Sequence, residues 1–352
     1  MENAQINTDA LNTALSKMLS TEIISATHQI EQLYGGTVGN VNLITGTAKT
    51  FNNADIPFKV VLKIQKKWER QGDPNSWRRE YDLYASGLGA SFSKSLYWPI
   101  CYHVEFADDE TKLWMEYIQG VSGEDLTTEM LEVAAYELGC YQGMLYTDKP
   151  DYLCSLTNLG EVNAVESYYR HWKPKNVEYK YIRNEDCKIP KPLRDMLIDI
   201  DNRVDAIFEN IRKLPIVFCH RDFWVENIIY TTNNIALIDW DTTGWGYLGE
   251  DIAQLITDET DPTLWEEYRR KLIPAYLKGF GKYAGTETID ESVIYDMILV
   301  KMGYVCVFYI MNEELSAGEH YPNMGSLEKL YDVFYVPTST GRKIRPVDVE
   351  NL

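Results

Sequence analysis

The stretch Phe218-Cys219-His220-Arg221-Asp222-Phe223-Trp224-Val225-Glu226-Asn227, followed by Ile235-Ala236-Leu237-Ile238-Asp239-Trp240-Asp241, decides the fold. It reads as a strand, a tight polar turn, a strand, and a carboxylate at the end of the second strand. The turn has the spacing His-x-Asp-x-x-x-x-Asn. A carboxylate such as Asp222 can accept a proton from an attacking hydroxyl. The amide oxygen of Asn227 and the carboxylate of Asp239 can hold Mg²⁺ against phosphate groups, because a small hard cation selects oxygen ligands. A base must sit within hydrogen-bond reach of its proton, so the turn has to be fixed. A turn whose Asp and Asn only cap backbone groups would use the same residue types. The second motif, at the right distance and on a strand end, weighs against that reading.

Upstream, Phe58 to Gln65 is a β-branched strand with Lys63 in its middle. A lysine on the inner face of a strand needs an anionic partner. Lys59 and Lys66 take its place if the strand register is shifted. Asp73-Pro74 supplies an N-cap and first helical residue for a helix running through Trp77, Glu80, Tyr81 and Tyr84 to Gly87. On that helix Glu80 shares a face with Trp77 and Tyr84, which points its carboxylate inward. Gly35, Gly36 and Gly39 precede the strand-like Val41 to Ile44, and a Gly-rich turn lets backbone N–H groups approach phosphate closely.

Together these motifs resemble the aminoglycoside phosphotransferase and choline kinase superfamily, from about Gly35 to Ile256 and most strongly from Phe218 to Ala253. The resemblance implies an α+β, two-lobed protein-kinase-like fold, with a small mostly β N-terminal lobe and a larger mostly α C-terminal lobe. It implies ATP and Mg²⁺ as cofactors and a hydroxyl on a small molecule as the acceptor. Asp222 is then the catalytic base, Asn227 and Asp239 the metal ligands, and Lys63, oriented by Glu80, the partner of the ATP α/β-phosphates. Gly36, Gly39 and Asn40 match the looser Gly-x-x-Asn phosphate loop of the aminoglycoside kinases. Glu116 and Ile118, in Met115-Glu116-Tyr117-Ile118, match the hinge that reads adenine through backbone groups. His220 and Asp251 would brace the catalytic loop, although a helix N-cap role would also account for Asp251. Protein kinases carry lysine where this chain has Trp224, and the chain lacks Asp-Phe-Gly and Ala-Pro-Glu. Those departures favour a small-molecule kinase. A catalytically silent relative would have lost Asp222, Asn227, Asp239 or Lys63, and all four are present.

The organisation agrees. Thr8 to Leu33 reads as one or two helices from its apolar spacing, and Leu113 to Ile118 as the strand that ends the first lobe. The lobes are expected as 1–118 and 119–352. Helical periodicity then dominates, in Ala134–Tyr146, Pro192–Leu214, Asp251–Ile256 and Leu264–Tyr276. The Tyr- and charge-rich segment 161–186 shows no clear period, and the tail 341–346 is basic.

The chain has 352 residues, 34 basic and 53 acidic, for a formal charge of -19. Such a field repels nucleic acid and anionic membranes, and neither is expected as a partner. The six cysteines are irregularly spaced, mostly in apolar surroundings, and read as buried reduced thiols of a cytoplasmic protein. Met1 to Ser20 has no signal-peptide pattern. The apolar run Met297–Met311, broken by Lys301, is too short to span a bilayer and suits a core helix. Trp240, Asp241, Trp245, Tyr247, Glu250, Asp258, Glu259, Asp261 and Trp265 would line the acceptor site of the resembling kinases. Acids attract cations and aromatic faces hold quaternary ammonium groups. A cationic acceptor follows, of the aminoglycoside type first and choline or ethanolamine second. Core tryptophans and a solvated acidic face would explain the same residues.

Overall fold

Asn7 opens the first helix by accepting the backbone N–H of Asp9 at 3.1 Å, and α1 (Thr8–Leu19) ends at Ser20, which turns into the left-handed region at φ 51°. The expected continuation of this helix to Leu33 is wrong: Ile23–Gln32 is a strand, β1. The chain cannot stay helical through Ser20. Beyond it the β-branched Ile23, Ile24, Thr27 and Ile30 favour an extended backbone, which β2 (Gly39–Thr50) pairs from Ile23↔Thr50 to Gln32↔Asn42. The computed structural model describes residues 6–33, 39–68, 70, 72–172, 177–232, 234–285, 289–313, 315 and 322–336. Gly35, Gly36 and the basic tail lie outside the described residues.

The chain divides into two compact units, each made of several segments. The first takes Met1–Leu126, Lys149–Gly160 and Glu226–Thr243. Its main sheet is antiparallel, in the order β1-β2-β3-β6-β5, with β3 Asp55–Lys66, β5 Cys101–Ala107 and β6 Glu110–Glu116. Side chains alternate across a strand. Val60, Leu62 and Ile64 of β3 therefore share one face, and they form a core with Leu11 and Leu15 of α1, Ile44 and Trp114. Lys63 and Gln65 face the other way.

A 3₁₀ turn, Ser76–Arg78, leads into α2 (Arg79–Tyr84). Asp73 is not the helix N-cap expected from Asp73-Pro74, because the helix starts six residues later. Asp73 closes a turn with Arg70, and its carboxylate receives the buried Arg79 guanidinium at 2.7 Å. A smaller sheet has the order β4-β9-β8, with β4 Leu96–Tyr97, β8 Ile228–Tyr230 and β9 Ile235–Leu237. The short helix α4, Asp151–Cys154, belongs to the same unit.

The second unit is mainly helical. It contains α3 (Thr128–Thr147), α5 (Ala164–Trp172), α6 (Val177–Tyr181) and α7 (Lys191–Ile211). A two-stranded pair, β7 (Ile216–Cys219) with β10 (Gly244–Tyr247), precedes α8 (Glu250–Thr257), α9 (Trp265–Ala284), α10 (Glu291–Met311) and α11 (Met324–Lys329). The segment without a clear period in the sequence thus carries α5 and α6.

α3 and α9 touch through glycines. A Cβ on Gly139 would stand 2.1 Å from the Tyr276 carbonyl, and one on Gly279 would stand 2.1 Å from the Tyr136 carbonyl. Only hydrogen on those Cα atoms permits this approach. α10 is long and apolar enough to cross a membrane, but 72% of its apolar window is buried, as in a core helix. All six cysteines are free. Cys140, Cys219 and Cys306 are buried as expected, whereas Cys101 and Cys187 are half-buried and Cys154 is exposed.

Candidate active site

The first unit builds a cluster of buried charge on the β3 face that turns away from the apolar core. The Lys63 ammonium lies 2.5 Å from the Glu80 carboxylate and 2.7 Å from Asp239. Sequence order alone had left Lys59 and Lys66 as alternatives. Neither takes this place: Lys59, on the same face as Lys63, is exposed over the Tyr117 ring, and Lys66 is exposed. Burial would push the Lys63 ammonium down. The charges of Asp239, Glu80 and Asp241 outweigh it and hold the group well above the ordinary lysine range. Burial pushes the Glu80 carboxyl up, and the Lys63 ammonium offsets part of that.

Asn227 and Asp239 flank the open end of one hairpin. Ile228 pairs with Leu237, and the next residue, Ile238, donates its N–H to the Asn227 carbonyl at 3.1 Å. Asp239 then adopts φ 64°, a left-handed conformation uncommon for a residue with a Cβ. Such strain, of order 1–3 kcal/mol, persists where the surroundings enforce it. Here the enforcing contacts are Lys63 and, next along, the Glu80 carboxylate at 3.5 Å from the Trp240 N–H.

Asp241 was expected to line the acceptor site. It instead closes the charge cluster, accepting from Gln65 at 3.2 Å and pairing with Arg70 at 3.2 Å. Gly39 and Asn40 open β2 beside Gln65 and Ile64 of β3. Glu116 ends β6. Its carboxylate accepts from the Tyr97 hydroxyl at 2.5 Å and the Ile100 N–H at 3.2 Å, and Ile118 follows half-buried.

The second unit holds the polar turn. Asp251 accepts the backbone N–H of His220 at 2.9 Å and of Arg221 at 2.7 Å. Gly249 caps α8, so Asp251 spends its carboxylate on the turn rather than on its own helix. Gln142 of α3 adds an N–H to the same carboxylate at 2.8 Å, and the Tyr276 hydroxyl bonds Gln142 in turn. His220 accepts the Asp222 N–H on Nδ1 at 3.2 Å. Arg221 takes φ 65°, donates to the carbonyls of Glu161 and Trp245, and pairs with buried Glu250 at 3.2 Å. The Asp222 carboxylate accepts from the Gln254 amide at 3.4 Å, and Gln254 also donates to Asp258 at 2.8 Å.

Beside this turn lies a cavity of about 410 Å³, entirely within the second unit. Arg221, Glu250, Gln254, Asp258 and Glu259 line one part of it, and Lys301, Val305 and Tyr309 of α10 line another. Of the nine residues expected at the acceptor site, Glu250, Asp258 and Glu259 line this cavity. Trp240 and Trp265 are core, Trp245 packs on Phe218, Tyr247 donates to Asn163, and Asp261 caps a 3₁₀ turn. The sequence reading missed Gln254, Gln142, Arg70 and Arg79. Isolated glutamines and arginines carry no spacing signal, so none could have been found there.

A strand-borne lysine tied to a helical glutamate, an aspartate at a hairpin end, and a braced His-x-Asp turn are residue types that phosphoryl transfer uses. The model of the phosphotransferase enzyme family matches residues 94–287, more than half of the chain. The chain belongs to the phosphotransferase enzyme family. As a member it is a phosphotransferase, and its mixed α+β architecture is that of kinase-like proteins.

Two solved structures share the fold at a TM-score of 0.50. One is a choline kinase from Cryptosporidium parvum Iowa II, 16% identical, with 88% of this chain and 87% of that chain covered. The other is a choline/ethanolamine kinase family protein from Mesorhizobium loti, 14% identical, with 94% of each chain covered. The aminoglycoside phosphotransferase APH(4)-Ia, in ternary complex with AMP-PNP and hygromycin B, matches at the same TM-score with 12% identity, over 93% of this chain and all of that one. Human ethanolamine kinase 1 is 29% identical over 90 residues, and the match spans only a fifth of that protein's length.

Proposed function

We propose that this family member transfers the γ-phosphoryl group of ATP to a hydroxyl of a small, cationic molecule. The observation that carries the reading is Lys63, held at once by Glu80 and Asp239. A buried ammonium shared by two carboxylates is a charge set against polyphosphate, and it exchanges one partner for another when an anion arrives.

The donor set at the hairpin end fits Mg²⁺. The Asp239 carboxylate is partly exposed, Asn227 offers an amide oxygen, and both are hard oxygen ligands. Bound there, Mg²⁺ would neutralise charge on the transferring phosphoryl group. Asn227 and Asp239 would hold the ion, Lys63 would take the α/β-phosphates, and Glu80 would keep Lys63 aimed. Gly36, Gly39 and Asn40 would cover the phosphates, and the backbone of Glu116 and Ile118 would read the adenine edge. Asp222 orients the acceptor hydroxyl and takes its proton. A bond forms from the hydroxyl oxygen to the γ-phosphorus, the bond from that phosphorus to the departing ADP oxygen breaks, and the protein supplies position and charge. His220 and Asp251 keep the turn rigid.

The acids Glu250, Asp258 and Glu259 around the cavity favour a cationic acceptor. An aminoglycoside-type acceptor is the first reading. Choline or ethanolamine is the second, favoured by Tyr168 and Tyr309 on the cavity wall, whose ring faces suit an ammonium group. The test is ADP release by the purified protein with MgATP against aminoglycosides, choline, ethanolamine, methylthioribose and homoserine, at low and high salt. Salt-sensitive turnover of a cationic acceptor is expected. Turnover only of acceptors that carry no ammonium group, insensitive to salt, overturns the cationic reading, and ATP binding without any turnover favours a silent relative.

A further inference from the structure

Lys301 is the one charge that interrupts the apolar stretch of α10 from Met297 to Met311, and neither the fold nor the chemistry above uses it. It is half-buried and lines the cavity beside the Asp222 turn, with Val300, Met302 and Val305 around it. Once an acceptor fills the cavity and displaces its water, a lysine set in that wall costs free energy unless an anion meets it. Among the described residues, no carboxylate lies within ion-pair distance of its ammonium. Glu250 feels its charge but is already committed, paired with Arg221 at 3.2 Å and accepting the Tyr247 N–H at 2.8 Å.

The second cation of the cavity is engaged too. Arg221 donates to Glu250 and to two backbone carbonyls. Lys301 is therefore the cation left to meet something in the cavity. At the end of α8 the balance is reversed. Asp258 is held only through the neutral amide of Gln254 among its described contacts. The cavity presents negative charge from α8 and positive charge from α10, and about 410 Å³ is room for a molecule larger than a simple amino alcohol.

We infer that the acceptor is a hydroxyl-bearing zwitterion, with its ammonium group toward Asp258 and an acidic group, a carboxylate, toward Lys301. This rests on the phosphotransferase reading of the same cavity, keeps the ammonium group of its acceptor and adds a carboxylate: a cation alone satisfies Asp258 and leaves Lys301 unpaired.

Two matched pairs of probes isolate the carboxylate. Muramic acid is glucosamine carrying a lactyl ether, and serine is ethanolamine carrying a carboxylate. ADP release by the full-length protein with MgATP is measured for all four, alongside calorimetric binding in the presence of a non-hydrolysable ATP analogue. In at least one pair, the carboxylated member is expected to show a KM about tenfold lower than its partner. Lys301→Met should raise that KM about tenfold, change kcat less than about threefold, and leave the uncarboxylated member unaffected. Lys301→Arg should keep the preference. Unchanged binding of the ATP analogue by Lys301→Met establishes that the variant is folded. Equal or better use of the uncarboxylated member in both pairs, or wild-type behaviour of Lys301→Met, overturns the inference and leaves the kinase reading standing. No binding of either carboxylated probe also overturns it. Failure of the wild-type protein to bind the ATP analogue sinks the kinase reading itself.

Discussion

Asp239 in the first unit is gripped by an ammonium, with Lys63 at 2.7 Å and Glu80 sharing the same cation. Asp222 in the second unit accepts from the neutral amide of Gln254 at 3.4 Å, and its turn is held through backbone N–H groups donated to Asp251. The difference suits two kinds of work. A carboxylate that ligates a metal should stay ionised, and a cation beside it ensures that. A carboxylate that takes a proton needs to keep its basicity, and a neutral donor orients it at less cost to that basicity. The first unit therefore grips its carboxylate with a cation, and the second grips its turn with N–H groups donated to Asp251 and with the Arg221–Glu250 pair.

The comparison is tested most severely by Asp222→Asn. Turnover should fall by about two to four orders of magnitude while ATP binding survives, since only the proposed proton acceptor is lost. Near wild-type turnover would show that the neutral grip on Asp222 has no bearing on catalysis. Asp239→Ala should instead abolish Mg-dependent ATP binding. Activity retained in excess chelator would remove the metal role.

Stability separates the two grips further. Lys63→Met leaves Glu80 buried without its cation, and should cost about 3–5 kcal/mol in urea unfolding. The double variant Lys63→Met/Glu80→Leu should recover much of that, and failure to recover would mean that the pair does not act as a unit. Asp251→Ala strands two backbone N–H groups and the Gln142 amide, and should cost about 2–3 kcal/mol.

The smallest expected effect is on pH dependence. The folded protein raises the Lys63 pKa, so the contribution of Lys63 is complete below the unfolded value, about 10.4, and is lost only as pH rises through the folded value. The destabilisation by Lys63→Met should accordingly be the same at pH 7 and pH 9.5. A penalty that already shrinks by pH 9.5 would contradict the raised pKa.

Much of this was legible in the chain because the relevant signals are local. The strand–turn–strand around Asp222 and the hairpin ending at Asp239 are written in adjacent residues. The two-residue alternation of β3 puts Lys63 on the face away from the core, and its contacts with Glu80 and Asp239 set it apart from Lys59. What sequence could not supply was the direction taken by side chains whose partners are distant in the chain. The spacing of Ile23, Ile24 and Ile30 fits a helix as well as a strand, and Ser20 together with pairing to β2 decides it. Asp241 and Trp240 stand next to Asp239, yet alternation and burial send one to Arg70 and Gln65 and the other into the core. Gln254 and Lys301 acquire meaning only once α8 and α10 face one cavity.

The glycine contact between α3 and α9 has a consequence for inheritance and engineering. Tyr276 and Gln142 stand on those two helices and hand their alignment on to Asp251 and the turn. A single methyl group at Gly139 or Gly279 would wedge the helices apart at a distance from any reacting atom. Lesions there should behave as conditional alleles, active in the cold and inactive on warming. Compensating changes should then arise not near Asp222 but on the opposing helix, at the residues whose backbone the wedge displaces.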